Sequence, residues 1–535
     1  MLYLSPFQIL ASVLIGLLIL RLLRVFVLAH PLDCIPGPPS QSLVKGNLGQ
    51  LFSTDSRNFH RSLSETYGGV ARTFGFFKER CLFIHDPKAL HHIFVKDQHI
   101  YEETTAFIAG NKAVFGDGLL STLGDQHRKQ RKMLNPVFSP AHMRTMTSQF
   151  FGVTYKLRDV FLRKTSNGPQ EIEAMTWLAR TAFEIVAQSG FGTSFDPISE
   201  DYSEHRFVKS TKLLGPVIRG LILLRLYIVP VIYKYKLGTP SFWRTLVNIL
   251  PWNRLHKLRD IVDTMYDTSF DLFNEKKQAL ANDEAGFKTT RKDLMSVLIH
   301  ANSKASEEDR TFTFAAMDTT SSALCRIFWL LATHQDVQDK LRSEIREVKK
   351  GCSSEEPDYD KLSSMPYLDA VCRETLRLYT PISLLAREAR QDAVLPLSRP
   401  IETIDGRKIQ ELHIPKNTKV FASLLGSNTT PELWGPDTYE WKPERWLSPL
   451  PEKLVDAHIP GVYSHLMTFI GGSRSCIGFK FSQMEMKAIL YVLIDQFKFY
   501  PTKQEIFWNS IGISTPSVDR TQLRPEMPLL IARAD

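Results

Sequence analysis

The sequence predicts a mainly α-helical protein with small β-sheets, folded as one large domain behind an N-terminal transmembrane helix. Three observations predict it. Past residue 100 the apolar residues recur at helical spacing, short strand-and-turn signals are confined to about 70–84 and 386–425, and Leu2 to Leu20 carries no charge. A chain of 535 residues with 43% apolar and 23% charged residues can bury a large core and has room for a sizeable internal cofactor.

Taken in order, Leu2 to Leu20 is rich in Leu and Ile and long enough to cross the hydrocarbon layer of a bilayer. Arg21 and Arg24 follow at once, which places the rest of the chain on the cytoplasmic side. The alternative is a cleaved signal peptide; the missing basic start, the long apolar run and the lack of a small-x-small site argue for an anchor. Ile35-Pro36-Gly37-Pro38-Pro39 is a stiff, non-helical spacer. The expected division is an anchor over 1–29, a proline-rich hinge over 30–49 and a catalytic domain over 50–535.

Val70 to Phe77 and Cys81 to Ile84 predict two strands around the polar turn Lys78-Glu79-Arg80, and Asp86-Pro87 caps and starts a helix through Leu90 and Ile93. Val337, Leu341, Ile345 and Val348 share a helix face closed by Gly351; Leu368, Val371, Cys372, Leu376 and Tyr379 share another between Pro366 and Pro381. A last long helix carries Phe481, Met484, Ala488 and Val492, and residues 386–425 are strand-like with turns at Asp405-Gly406 and Pro415-Lys416-Asn417. Leu213 to Tyr233 is strongly apolar but broken by Arg219, Arg225 and Pro230, which speaks against a second span. It is either a core helix or an amphipathic lip that dips into the membrane surface and admits lipophilic substrate.

The six cysteines (34, 81, 325, 352, 372 and 476) are scattered without framework spacing, as in reduced thiols on the cytosolic side. A net charge of +9 raises the question of nucleic acid, yet Lys and Arg are interleaved with Asp and Glu, with no basic tract or zinc-finger spacing. A basic face toward anionic lipid or an acidic redox partner fits the same numbers, and no nucleic-acid partner is expected.

The chemistry concentrates in Phe469-Ile-Gly-Gly472-Ser-Arg474-Ser-Cys476-Ile-Gly478. A Cys in a glycine-rich loop entering a helix has a thiolate stabilised by backbone N–H groups, glycines that let the backbone turn against something flat, and in Arg474 a partner for an anionic group. A lone Cys in such a loop is otherwise a buried structural residue. The whole string, however, resembles the haem-binding loop FxxGxRxCxG of the cytochrome P450 family at Phe469, Gly472, Arg474, Cys476 and Gly478. The resemblance implies that Cys476 is the axial ligand of haem b iron, whose thiolate favours O–O cleavage. It also implies that Phe469 covers the thiolate side and that Arg474 binds a haem propionate.

Other segments resemble the family in the same order. Glu374-Thr-Leu-Arg377 presents acid and base on one helix face, and Trp441-Lys-Pro443-Glu444-Arg445-Trp446 resembles the PERF/PERW segment, so Glu374, Arg377 and Arg445 are implied to form a buried structural network. Ala315-Ala316-Met317-Asp318-Thr319-Thr320 resembles AGxDTT of the central helix, implying that Asp318 and Thr319 relay protons to bound dioxygen. Two departures stand out: Ala316 replaces the family's Gly, and only Thr311 to Phe314 separate the charged run Glu307 to Arg310 from the motif. The central helix is therefore expected to be shortened at its N-terminal half unless the preceding loop is recruited into it. His127-Arg-Lys-Gln-Arg131 is similar to the WxxxR helix with His for Trp; by resemblance His127, Arg131 and Arg387 reach the propionates.

The resemblance spans essentially the whole chain. It implies the cytochrome P450 fold and a monooxygenase that inserts one oxygen atom from O2 into a lipophilic small molecule. No glycine-rich nucleotide-binding turn is present, so electrons come from a separate membrane-bound NADPH–cytochrome P450 reductase, with cytochrome b5 as a second donor. Phe107, Ile108, Phe314, Ala315, Met317, Thr319, Ile382, Ser383 and Leu384 stand where the family's pocket walls lie. The motif wording looks most like fungal microsomal members, which suggests secondary metabolism such as terpenoid biosynthesis at the endoplasmic reticulum membrane. The alternatives from other classes are a haem-thiolate isomerase that does not use O2 and a haem protein impaired by a short central helix.

Overall fold

The computed structural model describes residues 30–201, 205–283, 305–352, 355–521 and 524–535 with the isolated positions 16, 295 and 296, and describes side chains outside 279–283 and 305–317. The expected anchor, Leu2 to Leu20, falls outside the described residues but for Gly16. The longer helices are α1 (Ser56–Tyr67), α2 (Thr105–Phe115), α3 (Gly124–Leu134), α4 (Pro140–Lys164), α5 (Ala174–Val186), α6 (Arg206–Arg219), α7 (Val229–Tyr235), α8 (Pro240–Ile249), α9 (Asn253–Asp283), α10 (Ala305–Thr333), α11 (Gln335–Lys350), α12 (Pro366–Leu378) and α13 (Phe479–Gln496). The protein is mainly helical with small sheets, as the periodicity predicts.

β1 (Val70–Phe74) and β2 (Arg80–Ile84) pair antiparallel around the Lys78-Glu79 turn. They join β8 (Lys419–Ser423), β5 (Leu384–Ala389) and β3 (Tyr101–Glu102) in a five-stranded sheet of order β1-β2-β8-β5-β3. β6 (Ala393–Glu402) and β7 (Lys408–Ile414) form the hairpin turned by Asp405-Gly406. β4 (Gln170–Glu173), β12 (Pro528–Arg533) and β9 (Phe497–Pro501) make a third sheet, and β10 (Phe507–Asn509) with β11 (Thr515–Ser517) a second hairpin. Asp86 caps the turn of helix at Pro87–His91 by accepting the Ala89 N–H at 2.9 Å, as its sequence predicts.

The proline hinge is no free spacer. Its carbonyls at Pro36 and Pro39 accept from the Arg72 N–H and from Asn47 Nδ2 at 2.9 Å each, and Leu32 and Ile35 are buried in the main core. That core lies where α4, α5, α10, α11, α12 and α13 pack together, with Phe150, Phe161, Leu324, Phe328, Leu341, Leu376 and Leu493 within it. Burial of such side chains, each worth about 1.5–3 kcal/mol, is what holds helices of mixed polarity in place.

One expectation is corrected here and an open one is divided. The central helix is not short: α10 begins at Ala305 and runs 29 residues, about 43 Å, through the charged run Glu307 to Arg310. Acidic residues near a helix start are favoured by the helix dipole, so a charged run read as loop is instead the first turns of helix. The reading of an impaired protein loses its ground. The apolar stretch Leu213 to Tyr233 divides between the two readings: Leu214 is buried in a core cluster with Val217 and Ile218 packed against it, while α6 and the segment Leu224–Tyr235 meet at a 76° bend and Leu213, Leu223, Ile228 and Val231 are exposed. Among the described residues no single helix is long and apolar enough to cross a membrane; this bent pair passes by length and composition together.

Candidate active site

Cys476 is held by a loop that its own sequence shapes. Its backbone N–H donates to the Phe469 carbonyl at 2.9 Å, closing the loop on itself just before α13. Gly472 has φ +72°, and a Cβ there would stand 1.8 Å from the Phe94 carbonyl oxygen, so only glycine lets the loop lie against that neighbouring turn. Gly478 has open space where a Cβ would stand and lines a cavity with Cys476. Phe469 packs on Phe479 with ring centroids 4.9 Å apart, screening the loop from the far side.

The cavity holds about 280 Å³ and separates α10 from the Cys loop. Thr319, Thr320 and Ala323 of α10 form one wall; Phe469, Cys476, Ile477 and Gly478 form the facing one. Cys476 is exposed only in that it faces this cavity, being otherwise surrounded by protein. Burial pushes its thiol up, while a hydrogen bond from the Gly478 N–H and the nearby Arg131 guanidinium pull it down. A cation bound at the sulfur would displace the proton, since the thiolate is the ligand form. Next to Thr319 in α10, Asp318 has its carboxyl pushed up to about 6 by burial, opposed by Lys212.

At one edge of the loop lies a polar recess lined by His127, Arg387, Arg474 and Glu103. Arg387 and Arg474 each approach the Glu103 carboxylate at 3.4 Å, so two guanidiniums share one acid. Burial holds both arginines below their usual range. Arg474 also donates to the Thr122 carbonyl at 2.6 Å. His127 is buried and lowered to about 4, first by desolvation and then by repulsion from Arg474, so its imidazole is neutral at pH 7. Arg131 reaches the Cys loop, where it donates to the Ser475 carbonyl and, at 3.2 Å, to Ser475 Oγ.

Behind the loop, Arg377 meets Glu374 in a two-pronged bond, 2.8 Å on each arm, and Arg445 approaches the same carboxylate at 3.4 Å. Trp446 Nε1 donates to it at 3.0 Å and Arg445 reaches on to Asp437 at 2.9 Å. Both charges of the Glu374–Arg377 pair are fully buried, and the satisfied network ties α12 to the segment that leads into the Cys loop.

Of the expected pocket walls, Thr319 and Ile382 line the cavity, whereas Phe107 faces outward and Ile108 is buried elsewhere. The side chains of Phe314, Ala315 and Met317 lie outside those described. Leu385 rather than Leu384 faces the cavity, because side chains alternate along β5. Sequence reasoning missed Glu103, whose role appears only where Arg387 and Arg474 converge. It also missed Glu485, fully buried in α13 beside Thr320, with its carboxyl raised well above the usual range by burial.

The residues fit a flat, iron-bearing group with two carboxylates: a thiol on one face, a helix across from it, apolar walls, and two guanidiniums sharing a single acid at one edge. That combination is the lining a haem-thiolate enzyme requires: Cys476 would ligate the iron, and Arg387, Arg474 and His127 stand where they would hold the propionates. The chain belongs to the cytochrome P450 family, whose model, described as "Cytochrome P450", matches residues 36–517. It is 49% identical over 526 residues to cytochrome P450 monooxygenase 91 of Postia placenta, covering 96% of each chain. It is 46% identical to cytochrome P450 monooxygenase 81 of the same fungus, with 96% of this chain and 95% of that one covered. It is also 42% identical to the ganoderic acid synthetase of Ganoderma lucidum, covering 95% of each. The protein is a cytochrome P450 monooxygenase.

Proposed function

We propose that the chain inserts one oxygen atom from O2 into a lipophilic small molecule, a terpenoid in fungal secondary metabolism. The observation that carries this reading is Cys476, facing Thr319 across an apolar cavity. The similarity to a ganoderic acid synthetase supports the terpenoid class. Haem bound at Cys476 supplies the oxygen activation. Electrons reach it from NADPH through a separate cytochrome P450 reductase, with cytochrome b5 as a second donor.

The chain's own residues exclude bulk water and manage protons. The apolar walls at Val137, Phe138, Leu385, Leu424 and Phe481 hold a lipophilic molecule. Asp318, titrating at about 6, both holds and releases a proton near neutral pH, and the Thr319 hydroxyl passes it into the cavity. We place the protein at the endoplasmic reticulum membrane, crossing once, with its catalytic domain on the cytoplasmic face. The exposed Leu213, Leu223, Ile228 and Val231 then form a lip toward the lipid.

The test is the difference spectrum of the reduced, CO-bound protein. A Soret band at the thiolate position is expected for the native chain and its loss for Cys476→Ala; a native chain that binds no haem ends the proposal. Product formation that proceeds without O2 or NADPH in the presence of reductase establishes the isomerase instead.

A further inference from the structure

A second cavity, of about 290 Å³, opens beside the first, among the start of α1, the C-terminal half of α10, the residues after α12 and the β10–β11 hairpin. Arg57, Arg326, Tyr379 and Trp508 line it, and Pro381 is common to both cavities. The Arg57 and Arg326 guanidiniums stand 4.3 and 4.2 Å from the Tyr379 ring centroid, and Arg326 also 3.2 Å from that of Trp508. Arg326 is buried, at 9% exposure.

What sets these two apart is what they lack. Elsewhere a desolvated arginine meets an acid, as Arg377 meets Glu374 and Arg180 meets Asp196, or stands apart from other buried arginines and donates to neutral oxygens, as Arg225 does to Asn111. Among the described residues no carboxylate lies within ion-pair distance of Arg57 or Arg326. The charged neighbour felt by Arg326 is Arg57, and those of Arg57 are Arg377 and Arg61. Asp55, the acid in the lining, is already engaged, accepting from Asn58 at 2.8 and 3.0 Å. Ring faces attract a guanidinium, but less than a carboxylate does in a dry site. Two desolvated cations side by side are a costly arrangement without an anion.

The rest of the lining says what carries the anion. Leu378, Leu425, Ile506 and Phe507 give the wall its apolar surface, beside the hydroxyls of Thr380, Ser383, Ser510 and Ser514. We infer that Arg57 and Arg326 form a binding site for the carboxylate of a lipophilic acid, with its apolar body against these residues. Arg326 lies seven residues after Thr319, two turns along the same face of α10 and about 10 Å away. An acid whose body is about that long can therefore be the molecule oxidised at Cys476, which rests on the oxygenase reading; a shorter or separate acid can occupy the second cavity alone, which does not.

Equilibrium dialysis of the full-length haem-loaded protein with radiolabelled dodecanoic acid, against its methyl ester, tests the site. The acid is expected to bind about tenfold or more tightly, ~1.4 kcal/mol, and Arg57→Gln and Arg326→Gln are each expected to close the gap while the CO-bound spectrum is retained. Equal binding of acid and ester, or a preference that survives both substitutions, overturns the inference. If Arg326→Gln does not fold, Arg57→Gln at the more open side of the cavity carries the same test. A Soret shift that saturates with binding shows one molecule spanning both cavities, and binding without a shift shows a separate acid; both support the site. A chain with its thiolate Soret band but no preference for the acid fails here and leaves the oxygenase reading intact.

Discussion

Asp318 is held in α10 with its carboxyl at about 6, above its ordinary value of 3.8. The folded protein thus binds this proton more tightly than the unfolded chain does. Near pH 4 the cost of burial is small; it grows as pH rises through 6 and is complete above that. Asp318→Asn is therefore expected to stabilise the fold by about 2–3 kcal/mol near pH 8 and hardly at all near pH 4. The same change should slow product formation by about a hundredfold, as loss of a positioned proton donor does. Thermal unfolding at the two pH values and turnover with reductase check both signs. In the polar recess beside the Cys loop, where the propionates would lie, the excess of positive charge is the measurable feature. Arg474→Gln is expected to lower the haem-to-protein ratio of the purified chain several-fold, roughly the loss of one charge-assisted hydrogen bond; full haem content would contradict the role given to it.

At the scale of elements, the Cys loop depends on how closely it lies against the turn before β3. Gly472→Ala sets a Cβ against the Phe94 carbonyl and forces an L-residue to φ +72°. A cost above about 2 kcal/mol is expected, read as a lower midpoint in chemical denaturation and a smaller fraction of protein with the thiolate Soret band. The motifs at this scale were legible because each is contiguous: glycine spacing, a helix start and a capping acid are decided by neighbouring residues. The length of α10 was not legible in the same way. Its first turns are charged, and whether a charged run is loop or helix depends on what the helix packs against further along. The same holds for Leu213 to Tyr233, whose apolar composition is compatible with core or surface; packing buries Leu214, and past the 76° bend Ile228 and Val231 are exposed.

At the scale of the whole molecule, haem would lie inside the core, between α10 and the loop that leads into α13. The loaded protein is therefore expected to unfold at a markedly higher temperature than the haem-free chain, because a ligand bound only by the folded state stabilises it by mass action. Differential scanning calorimetry of the two forms measures this, and coincident transitions would show that the cavity does not hold the group. The Glu374–Arg377–Arg445 network belongs to this scale as well, since it joins α12 to a segment some 70 residues later, linking the helical core to the loop that carries Cys476.

The thiol of the glycine-rich loop, the acid and alcohol of the helix across the cavity, the buried ion network and the strand-and-helix order were all determined by the sequence itself. Each rests on short-range spacing that only a few backbone conformations satisfy. Only the tertiary structure decided that Glu103 is shared by Arg387 and Arg474, that Arg131 serves the Cys loop, that Leu385 and not Leu384 faces the cavity, and that Arg57 and Arg326 stand together without an acid. Charges from segments hundreds of residues apart meet only through packing. Their pairing, or its absence, is a property of the folded chain and leaves no local pattern to read.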